Sequence, residues 1–130
     1  MLNKSTVESP LFGNVADDIM NFFENGQINT KKVIDALNFS KKDVASAAQL
    51  SLSSIRYDNR IPAELIQRAN EWAAAINLVA NHFKDFDKTL LWFKLPNPLL
   101  GDVSPATMIK YGRYKKLISF IISSLEGNKN

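Results

Sequence analysis

The chain has 130 residues, of which 45% are hydrophobic, with a single histidine, no cysteine and a net charge of +3. Those values suit one compact unit or two small helical subdomains sharing a core. Without cysteine there is neither a disulfide framework nor a thiolate metal site, and the expected setting is a reducing cytoplasm. Neither a signal-peptide-length apolar run nor the roughly 18 apolar residues of a membrane span is present, so no membrane partner is expected. The charge is uneven: residues 1–29 carry −3, 30–60 carry +3, 61–103 carry −1 and 104–130 carry +4. Alternating blocks of this kind favour a polyanionic partner.

Apolar residues recur at threes and fours, which predicts an all-α fold. Asn14 is placed to cap a first helix carrying Val15, Ile19, Phe22 and Phe23, ended by Gly26. Thr30 caps the next, with Val33, Ile34 and Leu37 inward, and Ser40 begins a third. Pro62 suits the first turn of a long helix. Its stripe of Leu65, Ile66, Ala69, Trp72, Ala73, Ile76, Val79, Ala80 and Phe83 serves either a core or a dimer seam. A further helix runs from about Asp87 to Lys94, a short one from Ser104 and Pro105 to Gly112, and a last one carries Leu117, Ile118, Ile121, Ile122 and Leu125.

Ser40 to Arg60 resembles a helix-turn-helix of the phage-repressor (Xre) type. Val44, Ala45 and Ala48 line the first helix, Leu50 fills the turn, Ser51 caps the second helix and Ile55 anchors it. Gln49 stands where that turn favours glycine, at a cost of roughly 1 kcal/mol for positive φ. With Ile55 inward, Ser53, Ser54, Arg56, Tyr57 and Asn59 face outward, able to bond base edges or phosphates. Lys41, Lys42 and Arg60 flank them as backbone contacts, Ser51 completes the set, and Asp58 opposes it.

Between Trp92 and Gly112 the prolines 96 and 98 fix their own φ and push Leu95 and Asn97 toward extended conformations, making a stiff corner that carries Leu99 and Leu100. Such a corner either plugs the core or offers an apolar knob to a partner. Catalytic chemistry finds little support. One histidine and no cysteine leave no zinc site or thiol nucleophile. His82 suits a helix C-terminal dipole, the glycines at 13, 26, 101, 112 and 127 form no phosphate loop, and Asp85 and Asp87 lie where a cap is wanted. No enzyme activity, metal or cofactor is expected.

Taken together, a repressor-like motif, a long helix, and then Trp92, Pro96, Asn97, Leu100, Gly101, Pro105 and Gly112, ending in Leu125-Glu126-Gly127, resemble the Xre/MbcA/ParS antitoxin family. The resemblance implies an antitoxin that binds a cognate RES-type toxin, an NAD-degrading enzyme, and that represses its operon by binding operator DNA, with a homodimer expected. It implies three parts: an N-terminal helical segment (1–29), an Xre-like helix-turn-helix domain with its long connecting helix (30–83), and a C-terminal toxin-binding domain (84–130). Trp92, Pro96, Asn97, Leu99, Leu100, Arg113 and Lys116 are the candidate toxin contacts. The chain departs from the family after Gly112, where Arg113, Lys115 and Lys116 stand in place of common acidic residues. The alternatives are a free-standing helix-turn-helix regulator whose C-terminal helices dimerise, and an adaptor that does not bind DNA.

Overall fold

The computed structural model describes residues 17–58 and 60–127. Its first element is a hairpin of β1 (Phe23–Glu24) and β2 (Gln27–Ile28), paired antiparallel, where the sequence predicts a helix. The reason lies in the turn. Asn25 and Gly26 take φ of 53° and 78°, and two successive left-handed residues are what a two-residue hairpin loop requires. Asn14 and Val15 lie outside the described residues.

A side-chain network replaces the expected helical bonds. The Asp18 carboxylate accepts from the backbone N–H of Phe22 and Phe23 at 2.9 and 2.8 Å and from Asn77 Nδ2 at 2.9 Å. Asn77 Oδ1 in turn accepts from Met20 N–H at 3.0 Å. Met20 and Phe22 are thereby buried although no helix carries them.

Helix α1 (Thr30–Leu37) is capped by Asn29, whose side chain accepts from Lys32 N–H. The cap expected at Thr30 therefore lies one residue earlier, and Thr30 is a buried first-turn residue. Val33, Ile34 and Leu37 face inward as expected. Helix α2 (Lys41–Ala48) starts where the sequence puts it, with Ser40 and Asp43 forming a reciprocal capping box. The Ser40 backbone N–H beside Asp43 holds its carboxyl below the usual range, with help from Lys110. A carboxyl depressed in the folded state stabilises fully above its unfolded value near 3.8 and loses that contribution as pH falls through the lower folded value. Asp43→Asn, which removes the ionised acceptor, is expected to cost about 1 kcal/mol at pH 7, with the difference from the parent shrinking as pH falls below about 3.8 in denaturant titrations.

Gln49 ends α2 in the left-handed conformation, φ 57°. Among the described residues no α-helix forms between Ser51 and Pro62, which corrects the expectation of a second helix there. Leu52–Ser54 is a single 3-10 turn, and Ile55 continues in an extended conformation. Ser51 makes no cap to the backbone; its hydroxyl engages the Ser53 and Ser54 hydroxyls instead. Serine and aspartate compete locally with helical bonding, Ile61 precedes a proline that disfavours helix, and burial of Ile55 then holds the strand-like path.

Helix α3 (Ala63–Phe83) follows Pro62 and is the axis of the fold. Its apolar stripe is core: Leu65, Ala69, Trp72, Ala73, Ile76, Val79 and Ala80 are buried within one chain, which leaves Ile66 exposed near one end and Phe83 half-buried at the other. The stripe is therefore not free to form a dimer seam. Helix α4 (Phe86–Lys94) is capped by Asp85, which accepts from Lys88 N–H. Ser104 caps α5 (Pro105–Lys110) with proline in its first turn, and Gly112 at φ 80° separates it from α6 (Tyr114–Gly127).

The fold is all-α apart from the hairpin. Helices α1, α4 and α6 pack on α3, while α1 also touches α4 and α2 touches α5. Buried residues from Met20 to Ile121 make one hydrophobic cluster, with Phe39 edge-on to Trp72 at 5.9 Å. Ser46 Oγ donates to the Lys110 carbonyl, and Lys110 pairs with Asp43 at 3.6 Å, tying α2 to α5. Among the described residues no helix is long and apolar enough to cross a membrane.

Candidate functional site

The proline corner has the geometry its sequence predicts. Leu95 and Asn97 are extended, and Pro98–Leu100 forms one 3-10 turn. Asn97 locks it three ways. Its side chain accepts from Leu99 N–H at 2.9 Å, its own N–H donates to the Val103 carbonyl, and its carbonyl accepts from Leu100 and Asp102. Gly101 and Asp102 return the chain with φ of 76° and 63°. The two leucines divide the roles left open by the sequence: Leu100 packs against the core, whereas Leu99 is 77% exposed.

Below Leu99 lies an apolar groove of about 190 Å³, and among its walls are Trp92, Asn97, Leu99, His82, Phe83 and Phe120. Trp92 is half-buried there and stands edge-on to the buried Phe93 at 5.0 Å. On the outer face of α4, Leu91 and Leu95 are 52% and 50% exposed. Leu91 lies about 200° around the helix from the inward Thr89, whereas Leu95 follows the helix as its extended C-terminal residue. A large exposed apolar group on a backbone fixed by two prolines and an asparagine is a preorganised anchor, because docking costs it little entropy.

Sequence reasoning missed Leu91 and Leu95, although Leu91 sits midway between the inward Thr89 and Phe93, a spacing that signals an outward position. It also gave His82 a dipole role alone; His82 lies in the final turn of α3, as expected, but also lines the groove beside Phe83. Pro96 is exposed at the corner. Arg113 and Lys116, grouped with Trp92 by the sequence, lie apart from this groove and line a second cleft with Lys115.

The candidate DNA contacts meet a different fate. Without a second helix, Ser53, Ser54, Arg56 and Tyr57 are not arrayed on one helical face. Arg56 Nη2 lies 3.3 Å from Asp58 Oδ2, and Asp58 Oδ1 accepts from Arg60 N–H at 2.9 Å. That backbone donor, followed by the Arg56 charge, lowers the Asp58 pKa, so the carboxylate that opposes DNA stays ionised. Tyr57 is half-buried, which raises its pKa, and it sits under Lys31 Nζ at 5.9 Å. Asn59 lies outside the described residues. Lys41, Lys42, Ser51 and Arg60 remain exposed.

No protein-family model matches the chain, and no curated protein matches it. The fold is similar to that of a chain in the crystal structure of the M. tuberculosis MbcT–MbcA toxin–antitoxin complex, with a TM-score of 0.50 and 21% identity over 76% of this chain and 92% of that one.

Proposed function

We propose that this protein is an antitoxin that neutralises a toxin protein by direct binding, using the proline corner and the adjoining outer face of α4. The observation that carries this reading is Leu99, which stands 77% exposed on a backbone braced by Asn97. The fold likeness to a chain of a toxin–antitoxin complex supports it. In this reading residues 84–130 supply the toxin contact, with Trp92, Pro96, Asn97 and Leu99 joined by Leu91 and Leu95. On the resemblance of Trp92, Pro96, Asn97, Leu100, Gly101, Pro105 and Gly112 to the Xre/MbcA/ParS pattern, the toxin is of the RES type and degrades NAD, and the antitoxin's own role is non-enzymatic.

Autorepression enters in a narrower form than a repressor helix would give. Lys41 and Lys42 at the start of α2, together with Arg60, are suited to phosphate contacts, while base reading by a second helix has no counterpart in the described residues. A homodimer, if formed, uses a face other than the buried α3 stripe, and light scattering of the free protein reads it directly. The free-standing regulator is disfavoured because Asp58 already pairs with its best base-reading candidate, Arg56.

The test is co-expression with the product of the neighbouring gene. Restored growth and co-purification of the two chains are expected. A toxic neighbour that this protein neither binds nor neutralises would overturn the reading.

A further inference from the structure

We propose that the cleft between the end of α2, the first half of α3 and the start of α6 binds a phosphate-bearing small molecule of nucleotide size. The cleft measures about 840 Å³, within the range of about 300 to 1,000 Å³ typical of small-molecule sites. Arg68, Arg113, Lys115 and Lys116 line it against a single carboxylate, Glu71. Glu71 is already engaged by Arg68 at 3.2 Å. Among the described residues, Arg113, Lys115 and Lys116 have no carboxylate within 4.0 Å.

The cations are held rather than loose. Tyr114, between Arg113 and Lys115, donates its hydroxyl to the Glu71 carbonyl at 2.7 Å, which fixes the first turn of α6 against α3. Burial raises the Tyr114 pKa, and the Glu71 charge adds to the rise, so that tether stays protonated. Arg68 Nε is buried without a hydrogen-bond acceptor despite its closeness to Glu71. An acceptor supplied from within the cleft removes that deficit.

Electrostatics sets the ligand's sign. Three cations in four residues sit at the positive end of the α6 dipole, with no acid in its first turn, and both features disfavour the ligand-free state. A phosphate fits better than a single carboxylate because its oxygens accept several charged donors at once. Ala47, Ala48, Trp72, Ile109 and Ile118 also line the cleft, leaving apolar room beyond the phosphate, which sets the size at a nucleotide rather than a bare anion.

The proposal stands apart from toxin binding and is tested on the full chain alone, by calorimetry and thermal melting at fixed ionic strength. ADP is expected to bind at one saturable site. Arg113→Gln and Lys116→Gln should each weaken it by about tenfold or more and raise the ligand-free melting temperature by about 1 to 2 °C. Lys94→Gln, the same charge loss on another face, should leave binding within about twofold. Equal losses in all three variants, displacement of ADP by sulfate at equal concentration, or binding of duplex DNA without binding of ADP would each overturn the proposal.

Discussion

Leu99→Asp is expected to abolish toxin protection while the free protein keeps its helical spectrum and melting temperature. Leu99 contributes almost nothing to the core, so a carboxylate there is solvated in the free state and costs little. In the complex the same carboxylate must be desolvated at the centre of an apolar contact. Losing such an anchor costs about 2 to 4 kcal/mol, or roughly 30-fold to several hundredfold in affinity. Leu100→Asp is the poorer probe even though its neighbour is the proposed anchor. Leu100 packs against the core, and a charge there would weaken fold and binding together. Leu99→Ala should give a smaller loss than Leu99→Asp. Surface-captured toxin titrated with each variant measures the series, and an unchanged dissociation constant for Leu99→Asp would remove the corner from the interface.

The second large effect concerns stability. Asn77→Leu is expected to lower it by about 2 to 4 kcal/mol, because two polar partners lose their complement at once. Asn77 is 4% exposed in the middle of α3. Leucine keeps the bulk but strands the buried Met20 N–H and takes one donor from Asp18. A shift of roughly 10 °C in melting temperature corresponds to that loss for a chain of this size. Asn77→Asp gives the contrasting signature. It preserves an acceptor for Met20 but sets a second carboxylate against Asp18 at about the 2.9 Å of the present contact. Like charges at that distance cannot both ionise cheaply, so part of the loss should be recovered on acidification. If both variants melt with the parent protein, the network does not hold the N-terminal segment on α3.

The same network shows where sequence reasoning ran out. Ile19, Phe22 and Phe23 have helical spacing, and Gly26 reads equally well as a helix stop or as half of a hairpin turn. What decides is Asn77, 57 residues after Met20, which supplies a partner that local pattern cannot reveal. Residues 51–60 failed for a related reason. Ile55 is buried, as the motif demands, but it is held there by an extended path rather than by a helix. Burial at one position does not distinguish the two.

Though the caps expected at Thr30 and Ser51 did not form, local chemistry was legible at several places where the deciding group lay within a few residues. Ser40 with Asp43, Asp85 with Lys88 and Ser104 with Thr107 are caps of that kind. So is the corner, since prolines 96 and 98 and the Asn97 side chain fix it within one turn. The groove beneath it was not legible, because α6 brings Phe120 to its wall from more than 20 positions away in the chain. Arg113 and Lys116 were grouped with the corner as basic residues able to reach the toxin, and the turn at Gly112 sends them to a different cleft.

Site-specific photo-cross-linking tests the central claim most directly. A photoreactive residue at position 99, with another at position 52 as control, compares two exposed leucines in different turns. With the co-expressed toxin, cross-linking is expected from position 99 and not from position 52. A cross-link from position 52 with none from position 99 would contradict the claim that the proline corner is the toxin-binding surface.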